Sequence, residues 1–178
     1  MKRILAVAFI ALFAVVGAFA SDSYITVSGS PYAKQFVDTS WDTDYSSVYG
    51  AGATLGYRFV SNGFVFGVDA SYKGYDYDEY DDPLHNLQLM GLYGYRVALG
   101  NGFMLTADVA AGAELDIADD SELVPVLGAG LEASCPITET IRVFGGVEGN
   151  ISWHDSKDSN YDSKTWSVIS KIGLEFHF

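Results

Sequence analysis

From about residue 23 to residue 178, apolar residues alternate with small or polar ones at a period of two. A chain that keeps this pattern for so long has to be built almost wholly of β-strands with two different faces. In 48–60, Tyr49, Ala51, Ala53, Leu55, Tyr57 and Phe59 share one face, and Gly50, Gly52, Thr54, Gly56 and Arg58 share the other. In 64–74, Phe64, Phe66, Val68, Ala70 and Tyr72 oppose Val65, Gly67, Asp69, Ser71 and Lys73. The same division recurs in 87–99, 103–115, 124–135, 140–153 and 165–178. The opening strand, about 23–36, is the least regular: Ile25 and Val27 alternate with Thr26 and Ser28, but Pro31 interrupts the ladder.

Alternation alone also fits a soluble sandwich, and three features decide against one. One face is apolar in every strand, with aromatics near the strand ends, as in Tyr49 with Tyr57 and Phe59, or Trp166 with Phe176 and Phe178. The other face mixes glycine with charge, which suits a polar lumen and not a dry shared core. The connections alternate in length: short at Asn62-Gly63, Gly100-Asn101-Gly102 and Pro136 to Glu139, long near 37–47, 75–86, 116–123 and 155–164. The expected fold is an all-β, eight-stranded, antiparallel up-and-down transmembrane barrel. Both termini and the short turns face the periplasm, and the long loops face outward. The 12 Tyr, 11 Phe and 19 Gly against only 4 Pro agree with strands, aromatic belts and tight turns.

The N-terminus sets the compartment. Lys2 and Arg3 precede an apolar run, Ile4 to Val16, and Ala18-Phe19-Ala20 has the small-x-small form of a cleavage site. Residues 1–20 are expected to be a cleavable signal peptide and 21–178 the barrel domain. The full chain has a formal net charge of −13, and losing Lys2 and Arg3 makes the remainder two units more negative. Such a balance excludes nucleic acid as a partner held by charge. Cys135 stands alone and is expected to fill the barrel wall. No cofactor site, catalytic set or metal-ligand spacing is apparent.

Turn lengths fix the expected strand registers. A two-residue Asn62-Gly63 turn pairs Ser61 with Phe64 and Phe59 with Phe66. A three-residue Gly100-Asn101-Gly102 loop pairs Leu99 with Phe103. A five-residue turn pairs Cys135 with Ile141. Inward arginines near each turn then lie diagonal to inward acids, within about 7–8 Å. The expected lumen ion pairs are Arg58–Asp69, Arg96–Asp108 and Arg142–Glu132, a layer that blocks the turn end of the barrel. The other inward charges, Lys73, Glu114, Glu148 and Lys171, are read as a structural network in a narrow lumen, against the alternative of an ion path.

The chain resembles the small eight-stranded outer-membrane barrels, the OmpX type and the barrel domain of OmpA-like proteins. The most specific element is the last strand, Lys171-Ile-Gly-Leu-Glu-Phe-His-Phe178, with outward Phe176 and terminal Phe178. The resemblance implies an integral outer-membrane protein in contact with outer-membrane lipid, with Phe176 and Phe178 read by the barrel-assembly machinery. No OmpA-like peptidoglycan-binding domain is expected after Phe178. His154-Asp155-Ser156 is similar to the His-x-Ser of lipid A deacylases, but Lys157 departs from that pattern, and alternation turns His154 and Ser156 inward.

The densest acidic run is Asp76, Asp78, Glu79, Asp81 and Asp82. It is read as a solvated loop tip able to contact an extracellular protein or a divalent cation, although its spacing is not that of an EF-hand. The expected function is non-enzymatic, a structural or surface-interaction role through acidic loops. A narrow channel for ions or small solutes is the alternative, and a lipid-modifying barrel enzyme comes third.

Overall fold

The structure is a computed structural model and describes residues 22–38, 47–76, 84–117, 122–155 and 162–178. The expected signal segment 1–20 lies outside the described residues. Eight strands follow in order: β1 (Asp22–Asp38), β2 (Ser47–Ser61), β3 (Phe64–Asp76), β4 (Leu84–Gly100), β5 (Phe103–Ile117), β6 (Glu122–Pro136), β7 (Ile141–Asp155) and β8 (Asp162–His177). Each pairs antiparallel with its sequence neighbours, and β1 pairs with β8, so the sheet closes on itself. Closure leaves no strand edge with unpaired backbone groups. The three short turns and the ends of β1 and β8 share one end of the barrel, the turn end; the longer connections leave from the other, the loop end.

The first turn has the expected register, with Ser61 opposite Phe64 and Phe59 opposite Phe66. Asn62 and Gly63 both have positive φ, 51° and 85°, as a two-residue turn matched to strand twist requires.

The second turn is tighter than expected. Gly100, not Leu99, pairs with Phe103, so Asn101-Gly102 forms a two-residue turn and Leu99 becomes a bulge. Positive φ at Gly100 (96°), Asn101 and Gly102 makes this possible. The bulge restores the expected register above it, with Arg96 opposite Thr106.

The third turn corrects the sequence expectation. Cys135 pairs with Val143 and Pro136 with Arg142, a slip of two residues. The turn is still five residues long but begins after Pro136, at the end of the ladder where a missing N–H is tolerated. The Ile137 and Thr138 amides donate to Ile141 O, and Thr138 Oγ1 accepts from Ile141 N at 3.0 Å. A slip of two keeps every side chain on its face, so the alternation survives while the partners change.

Pro31 has a related effect. The β1 ladder is irregular between Ser30 and Ala33, and across that bulge the inward position passes from even to odd numbers: Ser30 and Ala33 are both buried, and Tyr32 is exposed.

The outer wall carries Leu55, Leu89, Val109, Val147 and Ile172, all exposed. Tyr57, Phe59 and Phe178 cluster on it near the turn end, as do Phe64, Tyr93 and Tyr95. Inside, polar and charged side chains share the space with Val65, Met90, Leu92, Val124, Val126, Phe144 and Ile169. Ala33, Tyr75 and Ile169 form an apolar cluster near the loop end. The lumen is therefore packed, as the narrow bore of an eight-stranded barrel dictates.

Candidate functional site in the barrel lumen

Charge inside the barrel is gathered into three knots. The first, near the turn end, centres on Glu175 of β8, whose residue is only 1% exposed. Arg96 from β4 donates to Glu175 Oε1. Arg142 from β7 brings Nε to 3.3 Å from Oε2, and His177 Nε2 lies 3.0 Å from the same oxygen. Both arginines also donate to Ser134 Oγ on β6, at 3.0 and 3.1 Å. His177 Nδ1 faces Asp22 Oδ2 at 3.0 Å, and its ring stacks on Tyr24 with centroids 4.6 Å apart. The Arg96 guanidinium covers the other aromatic contact, 4.7 Å from the Tyr24 centroid. One carboxylate thus ties β1, β4, β6, β7 and β8 together across the bore.

The second knot lies deeper. Arg58 of β2 forms a fork with Asp69 of β3, Nη1 to Oδ1 at 2.5 Å and Nη2 to Oδ2 at 2.8 Å. Gly67 opposite Arg58 and Gly56 opposite Asp69 clear the space, since a Cβ on Gly56 would collide with Thr26, Asp69 and Arg58. Lys171 of β8 stands 3.7 Å from Asp69 Oδ2 and forms an ion pair with Glu148 of β7. Asn150 Nδ2 donates to Glu148 at 2.7 Å.

The third knot lies nearer the loop end. Lys73 donates to Gln88 Oε1 at 2.9 Å and stands 3.9 Å from Glu114 Oε2. Asn86 and Gln88 both donate to Glu114.

Of the three arginine–acid pairs expected from sequence, Arg58 and Asp69 are brought together. Arg96 is not with Asp108. The Asp108 carboxylate leans away from β4, over Gly130 of β6, while Arg96 crosses the bore to Glu175. Arg142 is not with Glu132. The two-residue slip places Arg142 opposite Pro136 and Glu132 opposite Gly146, and Arg142 takes Glu175, Ser134 and the Gly102 carbonyl instead. Glu175 was legible as an inward residue, but nothing in the sequence marked it as the hub.

Phe176 and Phe178 both point outward. The Phe178 amide donates to Ser23 O at 3.2 Å, and its ring stacks on Tyr57. Asp76 is exposed at the end of β3, opposite Tyr49; Asp78, Glu79, Asp81 and Asp82 lie outside the described residues. The backbones of His154 and Asp155 pair with Ser163 and Asp162, but their side chains, and Ser156, lie outside the described residues. Among the described residues, no three of His, Cys, Asp and Glu are grouped to hold a metal.

Neisserial surface protein A, NspA, superposes with a TM-score of 0.61 at 15% identity, over 88% of this chain and 97% of that one. The chain has the fold of the small eight-stranded outer-membrane barrels. The barrel is also similar to the outer membrane enzyme PagL, with a TM-score of 0.56 at 14% identity over 83% of this chain and 97% of PagL. Pseudomonas aeruginosa OprG matches with a TM-score of 0.53 at 11% identity, over 92% and 98% of the two chains. No family model matches the sequence, and no curated protein matches it. At these identities the likeness is one of fold, and such a fold hosts several functions.

Proposed function

We propose that this barrel is an integral outer-membrane protein without catalysis of its own, acting through its loops while its lumen stays shut. The observation that carries this is the Glu175 knot, which crosses the bore at the turn end with two arginines, a histidine and a tyrosine ring. A lumen filled in this way serves as a scaffold, and the surface left for contacts is the loop crown.

The apolar outer wall supports insertion into lipid, because every backbone group in a closed barrel is paired internally. Strands of 13 to 17 residues exceed the roughly 9–11 needed for a tilted crossing, so the sheet rises above the bilayer. In this arrangement the turn end and both mature termini face the periplasm, residues 1–20 serve as the export signal, and Phe178 is presented to the assembly machinery. The acidic loop with Asp76, Asp78, Glu79, Asp81 and Asp82 is the surface offered to an extracellular protein or cation.

The test is fractionation with gel migration. The protein is expected in the outer-membrane fraction, and unboiled samples should migrate differently from boiled ones, because a closed barrel resists detergent. Recovery as a soluble periplasmic monomer with a single migration would overturn the proposal.

A further inference from the structure

The chain has 10 lysines and arginines, of which Lys2 and Arg3 belong to the expected signal segment. Five of the others face the lumen: Arg58, Lys73, Arg96, Arg142 and Lys171. The remaining three fall on one sector of the loop end. Lys34 and Lys164 lie on the outer wall toward the loop ends of β1 and β8, and Lys157 falls between β7 and β8 in sequence. Among the described residues the outer wall carries no other lysine or arginine. Lys164 stands opposite Asp38.

Lys34 has an aromatic seat. Its Nζ lies 5.3 Å from the centroid of the Tyr49 ring, and Tyr32 packs against the same ring at 5.9 Å. Lysines and tyrosines placed so on a lipid-facing wall stand at headgroup level, stem in the apolar layer and charge above it. Asp76 is the next residue across, opposite Tyr49 on β3. Toward the turn end the wall drops away. Ala51 faces Gly74 in the next outward row, and Ala53 faces Tyr72 in the row after that. A Cβ on Gly74 would meet only the His85 ring, at 3.5 Å. Tyr72 and His85 flank this low strip, with stacked rings and Tyr72 Oη 2.8 Å from His85 Nδ1.

The strip opens into an apolar groove of about 640 Å³ that crosses the outer wall from β1 to β6. Tyr72 and Leu87 stand on its bank toward the loop end, Leu55 and Leu89 on the other, and Ala53 and Ala70 leave gaps in the banks. Its size is that of a small-ligand site, roughly 300–1,000 Å³. Cation, low strip and apolar groove follow one another down the wall in the order of a lipid's phosphate, backbone and chain.

We propose that this sector holds one phosphate-bearing lipid, its phosphate on Lys34 beside Tyr49 and one acyl chain laid over Ala51 and Ala53 into the groove. The inference rests on the lipid-embedded barrel proposed above, which fractionation and gel migration test separately. A single outward cation with an aromatic seat favours an anionic headgroup, and Asp76 sets the limit on how strongly.

The probes are phosphatidylglycerol and phosphatidylcholine, added to the full barrel in detergent, with retained lipid read by native mass spectrometry. The wild type is expected to retain one phosphatidylglycerol, at least fivefold better than phosphatidylcholine. Excess inorganic phosphate should not displace it, because the chain contributes as well as the phosphate. Lys34→Gln should lower phosphatidylglycerol retention to the phosphatidylcholine level, and Asp76→Asn should raise it about twofold. Lys164→Gln should change it less than twofold. Ala53→Leu with Ala70→Leu, which fills the gaps in the banks, should weaken both lipids several-fold. Every substituted side chain lies on the outer wall, and heat-dependent gel migration checks that each variant is folded. Equal retention of the two lipids by the wild type overturns the proposal, since ordinary boundary lipid gives that result. So does a Lys164→Gln loss as large as that of Lys34→Gln, the mark of diffuse attraction without a site. Displacement by inorganic phosphate also overturns it, by showing an ion site without a chain.

Discussion

Replacing Glu175 by alanine is expected to destabilise the barrel by roughly 3–5 kcal/mol, the usual cost of removing one partner from a buried charge cluster. Glu175 is the only carboxylate within ion-pair distance of either Arg96 or Arg142 among the described residues. Without it, the direct partners left to the two guanidinium groups among the described residues are Ser134, the Tyr24 ring and the Gly102 carbonyl. His177 loses one of its two acidic neighbours as well. Denaturant unfolding in lipid vesicles checks this: the midpoint should fall, while the slope against denaturant stays the same. Glu139→Ala, in the exposed third turn, should change stability by less than about 0.5 kcal/mol and serves as the reference. A Glu175 variant no less stable than the Glu139 variant would show that the knot carries no structural weight.

A second large effect is expected at Arg58. Its two-point fork to Asp69 is nearly dry, with side chains 4% and 8% exposed, and forked charge-assisted bonds are the strong ones. Arg58→Ala should cost about 3 kcal/mol, the low end of the range for breaking a buried pair. It sits at the low end because Lys171, 3.7 Å from Asp69, still offers that acid a cation. The double variant Arg58→Ala with Asp69→Ala should be more stable than the sum of the single effects implies, with a coupling of about 1–3 kcal/mol. Raising salt should leave this coupling largely intact, unlike that of a surface pair. Strict additivity of the two substitutions would mean that the fork contributes nothing as a pair.

Arg58–Asp69 and Arg96–Glu175 differ in how far they could be read from sequence, and the reason is geometric. Arg58 and Asp69 sit on adjacent strands joined by Asn62-Gly63, and a two-residue turn leaves one register that keeps both faces consistent. Arg96 and Glu175 sit on β4 and β8, far apart around the barrel and joined by no turn. Their contact depends on the bore being narrow enough for a side chain to cross it, and no local pattern encodes that distance. The third turn shows a different limit. Alternation fixes a register only to within two residues, so Arg142 stayed on the inner face but met Glu175 and Ser134 in place of Glu132. Pro31 shows a third limit. A proline marks an interruption of the ladder, but only the paired strands reveal that the bulge brings Ala33, and not Tyr32, inward. The apolar residues of the lumen, such as Val126, Phe144 and Ile169, were hidden for a related reason. A strand with apolar side chains on both faces loses its period-two signal at those positions.

In the proposed function the lumen is closed by its own side chains. Single-channel recording of the purified barrel in a planar bilayer tests it most directly. The wild type should show no steady ionic current, because Arg96, Arg142, Glu175, His177 and Tyr24 fill the turn end of the bore; a steady ohmic conductance through the folded wild-type barrel would contradict the account and make the chain a narrow channel.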